Sequence, residues 1–359
     1  MVVDSSALLE QVITDVLASA FDSAGQRCSA LRILLVQEDI ADRLYQMLTE
    51  AMQELVIGNP KYLNTDIGPV IDQEAQQKLL DYQASVRKIA RRHFELFAPA
   101  SGYFVAPSIY EIGSLQQITH EVFGPILHFV RYKPQDLAAL LQQINAKGYA
   151  LTGGCHSRIQ QAIKMVEDNL QCGNFYINRN IVGAVVGVQP FGGHGLSGTG
   201  PKAGGELYVQ RLTRTTQYYS SLAEVPKTVP SITGELNTID YKTTSVLLLG
   251  DDAARLMSAY QYLQRSGFKV VVEEDNLLLT HQLPDLTARK ANEYYQKGVF
   301  VSPISQEKRM ALAQQNPFIF CLYDWTQHQD ITLLYHEFSR SENIAAAGGN
   351  ATLMAIEEQ

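Results

Sequence analysis

The sequence has few cysteines, a single tryptophan and fewer basic than acidic residues. Its 359 residues include 29 Lys and Arg against 37 Asp and Glu, which gives a formal net charge of −8. This acidic balance argues against a nucleic-acid-binding role. The four cysteines are Cys28, Cys155, Cys172 and Cys321. None forms a Cys-x-x-Cys pair or has histidines at zinc spacing, so neither a disulfide framework nor a metal site is expected.

Long apolar runs are also missing. No stretch of eighteen uncharged apolar residues and no signal-peptide pattern occurs, so we expect no transmembrane segment and predict a cytoplasmic protein. Hydrophobic residues make up 46% and charged residues 18%, which predicts a buried core. The opening MVVDSS reads as a strand that runs into a helix cap at Asp4 or Ser5. We therefore expect a chain cut inside a larger fold.

Hydrophobic periodicity predicts an α/β fold. Apolar residues from Leu8 to Phe21 recur at helical spacing, and the run at 31–36 is typical of a buried strand. Further helices are predicted at 38–55, 71–92, 135–147 and 157–170, and further strands at 103–110, 126–132, 149–155 and 173–178. This alternation indicates an open twisted sheet with flanking helices.

The second half of the chain changes in composition. Segment 189–205, QPFGGHGLSGTGPKAGG, holds seven glycines and is predicted to be a shaped loop without helix or strand. We divide the chain into a domain at 1–218, a linker or extended arm at 219–242, a smaller Rossmann-like domain at 243–340 and a docking tail at 341–359. The strand–helix–strand pattern that starts at 245 supports the second domain.

Cys28 stands out among the cysteines. It lies in FDSAGQRCSALR, 21–32, among small and polar residues rather than the Leu, Ile and Val that surround a packing cysteine. Small neighbours leave room for a carbonyl substrate, and the backbone N–H of Cys28 could face an oxyanion. These residues alone leave two alternatives open, a nucleophile and an inert buried thiol.

A family resemblance favours the nucleophile. GQRCSALR, 25–32, resembles the nucleophile segment of the aldehyde dehydrogenase superfamily, and six downstream blocks match its pattern in order. They are TDIGPVID at 65–72, GYFVAPSIY at 102–110, HEVFGPILHFVRY at 120–132, LTGGCHSR at 151–158, GNFYINRN at 173–180 and the glycine-rich segment. SGTGPKAGG with INRN resembles the glutamate semialdehyde dehydrogenase branch. The end of the chain resembles the C-terminal region of bifunctional proline utilization A proteins.

The resemblance implies a role for each matching residue. Cys28 would attack the aldehyde of L-glutamate γ-semialdehyde, and the product would be L-glutamate. Glu121 would bind the nicotinamide ribose of NAD, with Phe123 beside the ring. Ser29 and the backbone of Gly204 and Gly205 would hold the substrate carboxylate. The parent protein would also carry an FAD-dependent proline dehydrogenase and form a homo-oligomer.

The sequence departs from the family at its start. The family's N-terminal NAD-binding domain and its Glu-x-Gly-Gly segment, which supplies the general base, have no match in these residues. The resemblance therefore implies that this chain by itself is catalytically incompetent.

Other functions stay open beside the dehydrogenase. The chain could act as a structural or interaction module that closes a substrate tunnel or mediates assembly. A Cys–His hydrolase would need His120 or His194 beside Cys28. The GHGLSG stretch fits a dinucleotide fingerprint, but it lacks the preceding strand and following helix that such a site needs.

Overall fold

A computed structural model describes residues 1–212, 227–229, 231, 234–272, 287–288, 297–315, 321–325 and 331–345. The α-helices in this part are α1 Leu9–Phe21, α2 Glu38–Gln53, α3 Gln73–Val86, α4 Leu137–Asn145, α5 Gln160–Asn169, α6 Glu206–Leu212, α7 Ala253–Arg265 and α8 Gln306–Gln315. The described helices include none that is both long and apolar enough to cross a membrane.

Two groups of β-strands follow the chain. The strands up to the glycine-rich segment are β1 Val2–Val3, β2 Ile33–Gln37, β3 Arg92–Glu95, β4 Ser108–Glu111, β5 Ile126–Tyr132, β6 Tyr149–Ala150, β7 Thr152–His156 and β8 Asn174–Ile177. The later strands are β9 His194–Gly195, β10 Lys227–Thr228, β11 Glu235–Lys242, β12 Ser245–Leu249, β13 Lys269–Val272, β14 Thr287–Ala288, β15 Lys297–Phe300, β16 Cys321–Asp324 and β17 His336–Asn343.

Ten strands form one large sheet. Their order is β10-β11-β17-β8-β7-β1-β2-β5-β4-β3, and the pairings from β17 through β4 are all parallel. Such a sheet needs cover on both faces, which explains why its central strands β2 and β5 are largely apolar rather than alternating. Leu34, Leu35 and Phe129 in the middle of the sheet are fully buried, and α1 packs Val12 and Val16 into the same core. The predicted open sheet with flanking helices is confirmed.

A second sheet has five strands. All its pairings are parallel, in the order β14-β13-β12-β15-β16, and α7 connects β12 to β13. The strands β11 and β17, which flank this sheet along the chain, belong to the large sheet, where they pair with each other over eight residues each. The later part of the chain is thus joined to the first by strand pairing. The division into domains at 218, 242 and 340 stays a prediction.

Several local expectations differ from the structure. Asp4 does not cap α1, because its carboxylate accepts hydrogen bonds from Ser6 and Ser157 instead. The helix predicted at 71–92 ends at Val86, since residues from Arg92 onward form β3 against β4. The glycine-rich segment contains the two-residue strand β9, which pairs with β6. Of the predicted docking tail, residues 346–359 lie outside the described residues.

Candidate active site

Cys28 lies in the loop that connects α1 to β2. Three successive residues at the start of this loop, Ser23, Ala24 and Gly25, adopt left-handed backbone conformations with φ of 56°, 53° and 62°. Residues other than glycine rarely adopt this backbone conformation, and such strain is concentrated at functional sites. The sharp reversal that results turns the chain away from α1 and leaves Cys28 exposed.

The Cys28 loop packs directly against segment 121–124. A Cβ atom on Gly25 would lie only 2.6 Å from the carbonyl carbon of Gly124, so only glycine fits there. On the other side of the loop, the side-chain oxygen of Gln26 accepts a hydrogen bond of 2.9 Å from the backbone N–H of Ile71. Two blocks singled out by their resemblance, 65–72 and 120–132, therefore support the loop that carries Cys28.

Arg32 holds the same region together, and sequence analysis gave it no role. Its guanidinium donates hydrogen bonds to the backbone carbonyls of Gly25, Arg27 and Gly124. Burial lowers the pKa of Arg32 to about 10, while the charges of Glu121 and Cys28 act in the opposite direction. The only local signal was a basic residue directly before a buried strand.

Cys28, Glu121 and Phe123 line one cavity. Its volume is about 620 Å³, and Arg32 and His120 contribute to its wall. Phe123 is 42% exposed, which is unusual for a phenylalanine and leaves its ring available for contact. The structure thus brings together the predicted nucleophile and both predicted cofactor-binding residues.

Segment 120–123 also borders a second cavity. This neighbouring groove has a volume of about 730 Å³ and is lined on its far side by α3, including Lys78 and Tyr82. Glu121 and Phe123 are shared between the two cavities. An elongated ligand could therefore reach from the groove on α3 to the thiol of Cys28 past an exposed carboxylate and an exposed ring. These two side chains fit a nicotinamide nucleotide, because a carboxylate accepts hydrogen bonds from ribose hydroxyls.

The predicted substrate-binding residues are not part of this cavity wall. Ser29 is only 5% exposed, and its backbone carbonyl accepts a hydrogen bond from the Thr152 hydroxyl at 3.3 Å. Gly204 and Gly205 lie at the end of the glycine-rich segment, just before α6. From that segment the cavity wall takes Leu196 and Ser197 instead. The carboxylate-binding role of Ser29, Gly204 and Gly205 stays a prediction.

The glycine-rich segment is anchored at both ends by Asn174 of β8. The Asn174 amide group donates to the carbonyl of Pro190 at 2.9 Å, and its oxygen accepts from the N–H of Gly192 at 3.1 Å. The same oxygen accepts from the ammonium of Lys202 at 2.8 Å. Burial lowers the pKa of Lys202 to about 7. No signal in the sequence indicated the contact between Asn174 and Lys202, because the two residues are 28 positions apart.

The other described thiols differ from Cys28. Cys155 and Cys172 are buried free thiols, and burial raises the pKa of both, that of Cys172 to about 12. The Cys321 side chain lies outside the described residues. His194, one candidate partner for a Cys–His hydrolase, stacks on His336 with ring centroids 4.4 Å apart and does not line the Cys28 cavity. This arrangement disfavours His194 as a base for Cys28.

Comparison with known proteins gives the family of the chain. The family model described as aldehyde dehydrogenase family matches residues 1–218. The bifunctional protein PutA of Escherichia coli (strain K12) is 38% identical over 99% of this chain. The 1-pyrroline-5-carboxylate dehydrogenase of Geobacillus sp. (strain WCH70) is 35% identical over 58% of this chain and 41% of its own length.

A structural comparison extends the match to the later part of the chain. The solved structure of proline utilization A from Corynebacterium freiburgense superposes with a TM-score of 0.73 over 95% of this chain and 38% of its own. Its sequence identity is 22%, so this likeness concerns the fold. The chain spans 33% of the length of the E. coli relative. With more than half of its residues matched by the family model, the chain belongs to the aldehyde dehydrogenase family.

Proposed function

We propose that this chain is the C-terminal part of a bifunctional proline-catabolic enzyme and carries the nucleophile of its L-glutamate γ-semialdehyde dehydrogenase. The observation that carries the proposal is the exposed thiol of Cys28 in one cavity with Glu121 and Phe123. The relatives named above, a PutA protein and a 1-pyrroline-5-carboxylate dehydrogenase, support the choice of substrate.

Cys28 performs the covalent chemistry in this proposal. Its thiolate adds to the carbonyl carbon of the aldehyde and forms a thiohemiacetal, whose oxyanion faces the backbone N–H of Cys28. NAD supplies the hydride acceptor when bound. Loss of hydride converts the thiohemiacetal into a thioester on the Cys28 sulfur. Water then attacks the thioester carbon, the C–S bond breaks, and L-glutamate and the free thiol are released.

Other residues orient the reactants. Glu121 would bind the nicotinamide ribose of NAD and Phe123 would contact the ring, and the exposure of both side chains between the two cavities supports this. Ser29, Gly204 and Gly205 bind the carboxylate of the substrate. Glycine N–H groups suit an anion because no side chain hinders its approach.

A second function applies to residues 243–359, which we propose act as a structural or interaction module that closes the substrate tunnel or mediates assembly of the parent. Two contacts favour it. The strands β11 and β17 extend the large sheet, and the Glu337 carboxylate of β17 accepts a hydrogen bond of 2.5 Å from the backbone N–H of Lys202. The parent would be a homo-oligomer and carry FAD in its proline dehydrogenase part.

Formation of NADH from glutamate semialdehyde tests the dehydrogenase proposal. We expect the full-length enzyme that contains this sequence to form NADH and its Cys28→Ser variant to form none. The isolated chain should also form none, because its 359 residues contain no Glu-x-Gly-Gly segment to supply a base. Substantial NADH formation by the Cys28→Ser enzyme would disprove the assignment of the nucleophile.

A further inference from the structure

We infer that Arg32 is a positioning residue that fixes the Cys28 loop against segment 121–124 and promotes the reactivity of the Cys28 thiol. The inference rests on the proposed function, because it takes Cys28 as the nucleophile. Arg32 itself is assigned no contact with the substrate. It would act through the backbone on both sides of the thiol and through its charge.

Three hydrogen bonds define the position of the guanidinium. Arg32 donates to the carbonyl of Gly25 at 2.6 Å and to that of Arg27 at 3.2 Å, so it binds the loop directly before Cys28. It also donates to the carbonyl of Gly124 at 3.1 Å, which lies 92 residues away in the sequence. A rigid planar group with several donors can join three carbonyls in this way, whereas the point charge of lysine cannot reproduce the geometry.

The same guanidinium contacts the predicted cofactor-binding segment. Its central carbon lies 4.8 Å from the centroid of the Phe123 ring, within the range of a cation–π interaction. The Glu121 charge also acts on it. Arg32 therefore contacts both the nucleophile loop and the segment that carries Glu121 and Phe123. A displacement of the loop would move the segment as well.

The main chain of Arg32 is fixed as well. Its carbonyl accepts a hydrogen bond of 2.9 Å from the backbone N–H of His128, and Nδ1 of the same histidine lies 2.9 Å from it. Since a carbonyl only accepts, Nδ1 carries the proton, and Nε2 accepts from the Tyr82 hydroxyl at 2.7 Å. Burial lowers the pKa of His128 to about 4, so this ring is neutral and does not repel the guanidinium at pH 7.

Charge adds to the geometric argument. Arg32 remains protonated at neutral pH despite its lowered pKa of about 10. Within the described part of the chain its Nε atom is buried and has no hydrogen-bond partner. A buried charge is screened less than that of a surface arginine. The Cys28 charge is among the groups that act on it. A nearby cation favours the thiolate, which is the reactive form of cysteine.

Alkylation of Cys28 by iodoacetamide at several pH values tests the inference without aldehyde or NAD. We expect Arg32→Gln to react about tenfold more slowly than the unmodified sequence near neutral pH, with a smaller deficit at high pH, where deprotonation no longer limits alkylation. Arg32→Lys keeps the charge but not the three bonds, and it should recover part of the neutral-pH rate. Arg43→Gln is the matched control, because Arg43 is an exposed residue of α2 outside the cavity wall.

The pH dependence separates positioning from a purely structural role. An unchanged rate in Arg32→Gln, or a deficit that is the same at every pH, overturns the inference. If Arg32→Gln does not fold, Arg32→Lys decides instead. It keeps the charge but loses the three hydrogen bonds, so it should react more slowly than Arg43→Gln near neutral pH, and an equal rate overturns the inference. Failure of NADH formation in the full-length enzyme would contradict the proposed function and leave these alkylation rates unaffected.

Discussion

The backbones of Gly25 and Gly124 approach so closely that a Cβ on Gly25 would lie 2.3 Å from the carbonyl oxygen of Gly124. One glycine precedes Cys28 by three residues, and the other directly follows Phe123. Contact between backbones leaves no room for a side chain and fixes the distance between the two loops. Because of this contact, Cys28 shares a cavity with the predicted cofactor-binding residues.

Replacing Gly25 by alanine should destabilise the protein by more than about 1 kcal/mol. Part of the cost is the left-handed φ of 62°, and the rest is overlap with Gly124. Urea unfolding measures the free energy of unfolding of each variant. Gly183→Ala is the control, because Gly183 has a φ of 72° but no atom within 4 Å of the added Cβ. Equal losses of stability in the two variants would show that the close contact between Gly25 and Gly124 does not add to the cost.

Iodoacetamide should label Cys28 in the folded chain and leave Cys155 and Cys172 unlabelled. The first thiol is exposed, whereas the other two are buried and their raised pKa values keep them protonated. Peptide mapping after brief labelling measures the modification at each site, and labelling in urea provides the fully reactive reference. Labelling of either buried thiol at the rate of Cys28 would contradict the described packing.

Much of the fold around these thiols could be predicted from local patterns. The apolar run at 31–36 predicts β2, and the small residues around Cys28 predict an accessible thiol, because both depend on neighbouring residues. The end of α3 was placed too late. Residues 87–92 continue a plausible helical pattern, and it is the pairing of β3 with β4, a tertiary contact, that prevents the helix from continuing.

Long-range polar contacts could not be predicted from one sequence. Arg32 was visible only as a basic residue, since one of its acceptors, Gly124, lies 92 residues away. Asn174 was likewise visible only within a block that resembles the family. Its partner Lys202 is 28 residues distant and lies across the glycine-rich segment. Hydrogen-bond partners of this kind depend on the folded chain and leave no periodic signal.

Acidification should destabilise the protein through His128. Burial lowers the pKa of this ring to about 4 in the folded state, against 6.5 in the unfolded chain. Between these pH values the unfolded state binds more protons than the folded state. The contribution of His128 to the free energy of unfolding is therefore complete above pH 6.5 and is lost as the pH falls towards 4. His128 alone should contribute a loss of about 1.6 kcal/mol between pH 6.5 and pH 5.

Urea unfolding of His128→Phe at both pH values measures this contribution. The variant removes the titrating ring, and its stability should therefore fall less than that of the unmodified sequence over the same interval. His93→Phe is the control, because His93 is an exposed histidine in β3, at the edge of the same sheet. A pH dependence in His128→Phe as steep as that of the unmodified sequence would argue against a buried neutral ring.

Replacing Asn174 by alanine should destabilise the protein by about 3 kcal/mol and loosen the glycine-rich segment. The variant leaves the Gly192 N–H without its partner and removes one acceptor of the Lys202 ammonium. It also removes one of the two donors to the Pro190 carbonyl, which keeps its hydrogen bond from the Ser339 hydroxyl. Thermal or urea unfolding measures the overall loss. Asn169→Ala is the matched control, because Asn169 is exposed and its side-chain amide donates a hydrogen bond to the Met165 carbonyl, so the loss should stay within about 0.5 kcal/mol.

Trypsin provides a local measurement of the same effect. Lys202 is a potential cleavage site, yet it is buried and its ammonium is bound to Asn174 and to the carbonyl of Gly173. In the Asn174→Ala variant, cleavage after Lys202 should become faster under conditions where the rest of the chain stays folded, since local opening exposes the bond. If Lys202 stays as protected as in Asn169→Ala, Asn174 does not anchor the segment, and the position of Gly204 and Gly205 must depend on other contacts, such as the one between Lys202 and Glu337.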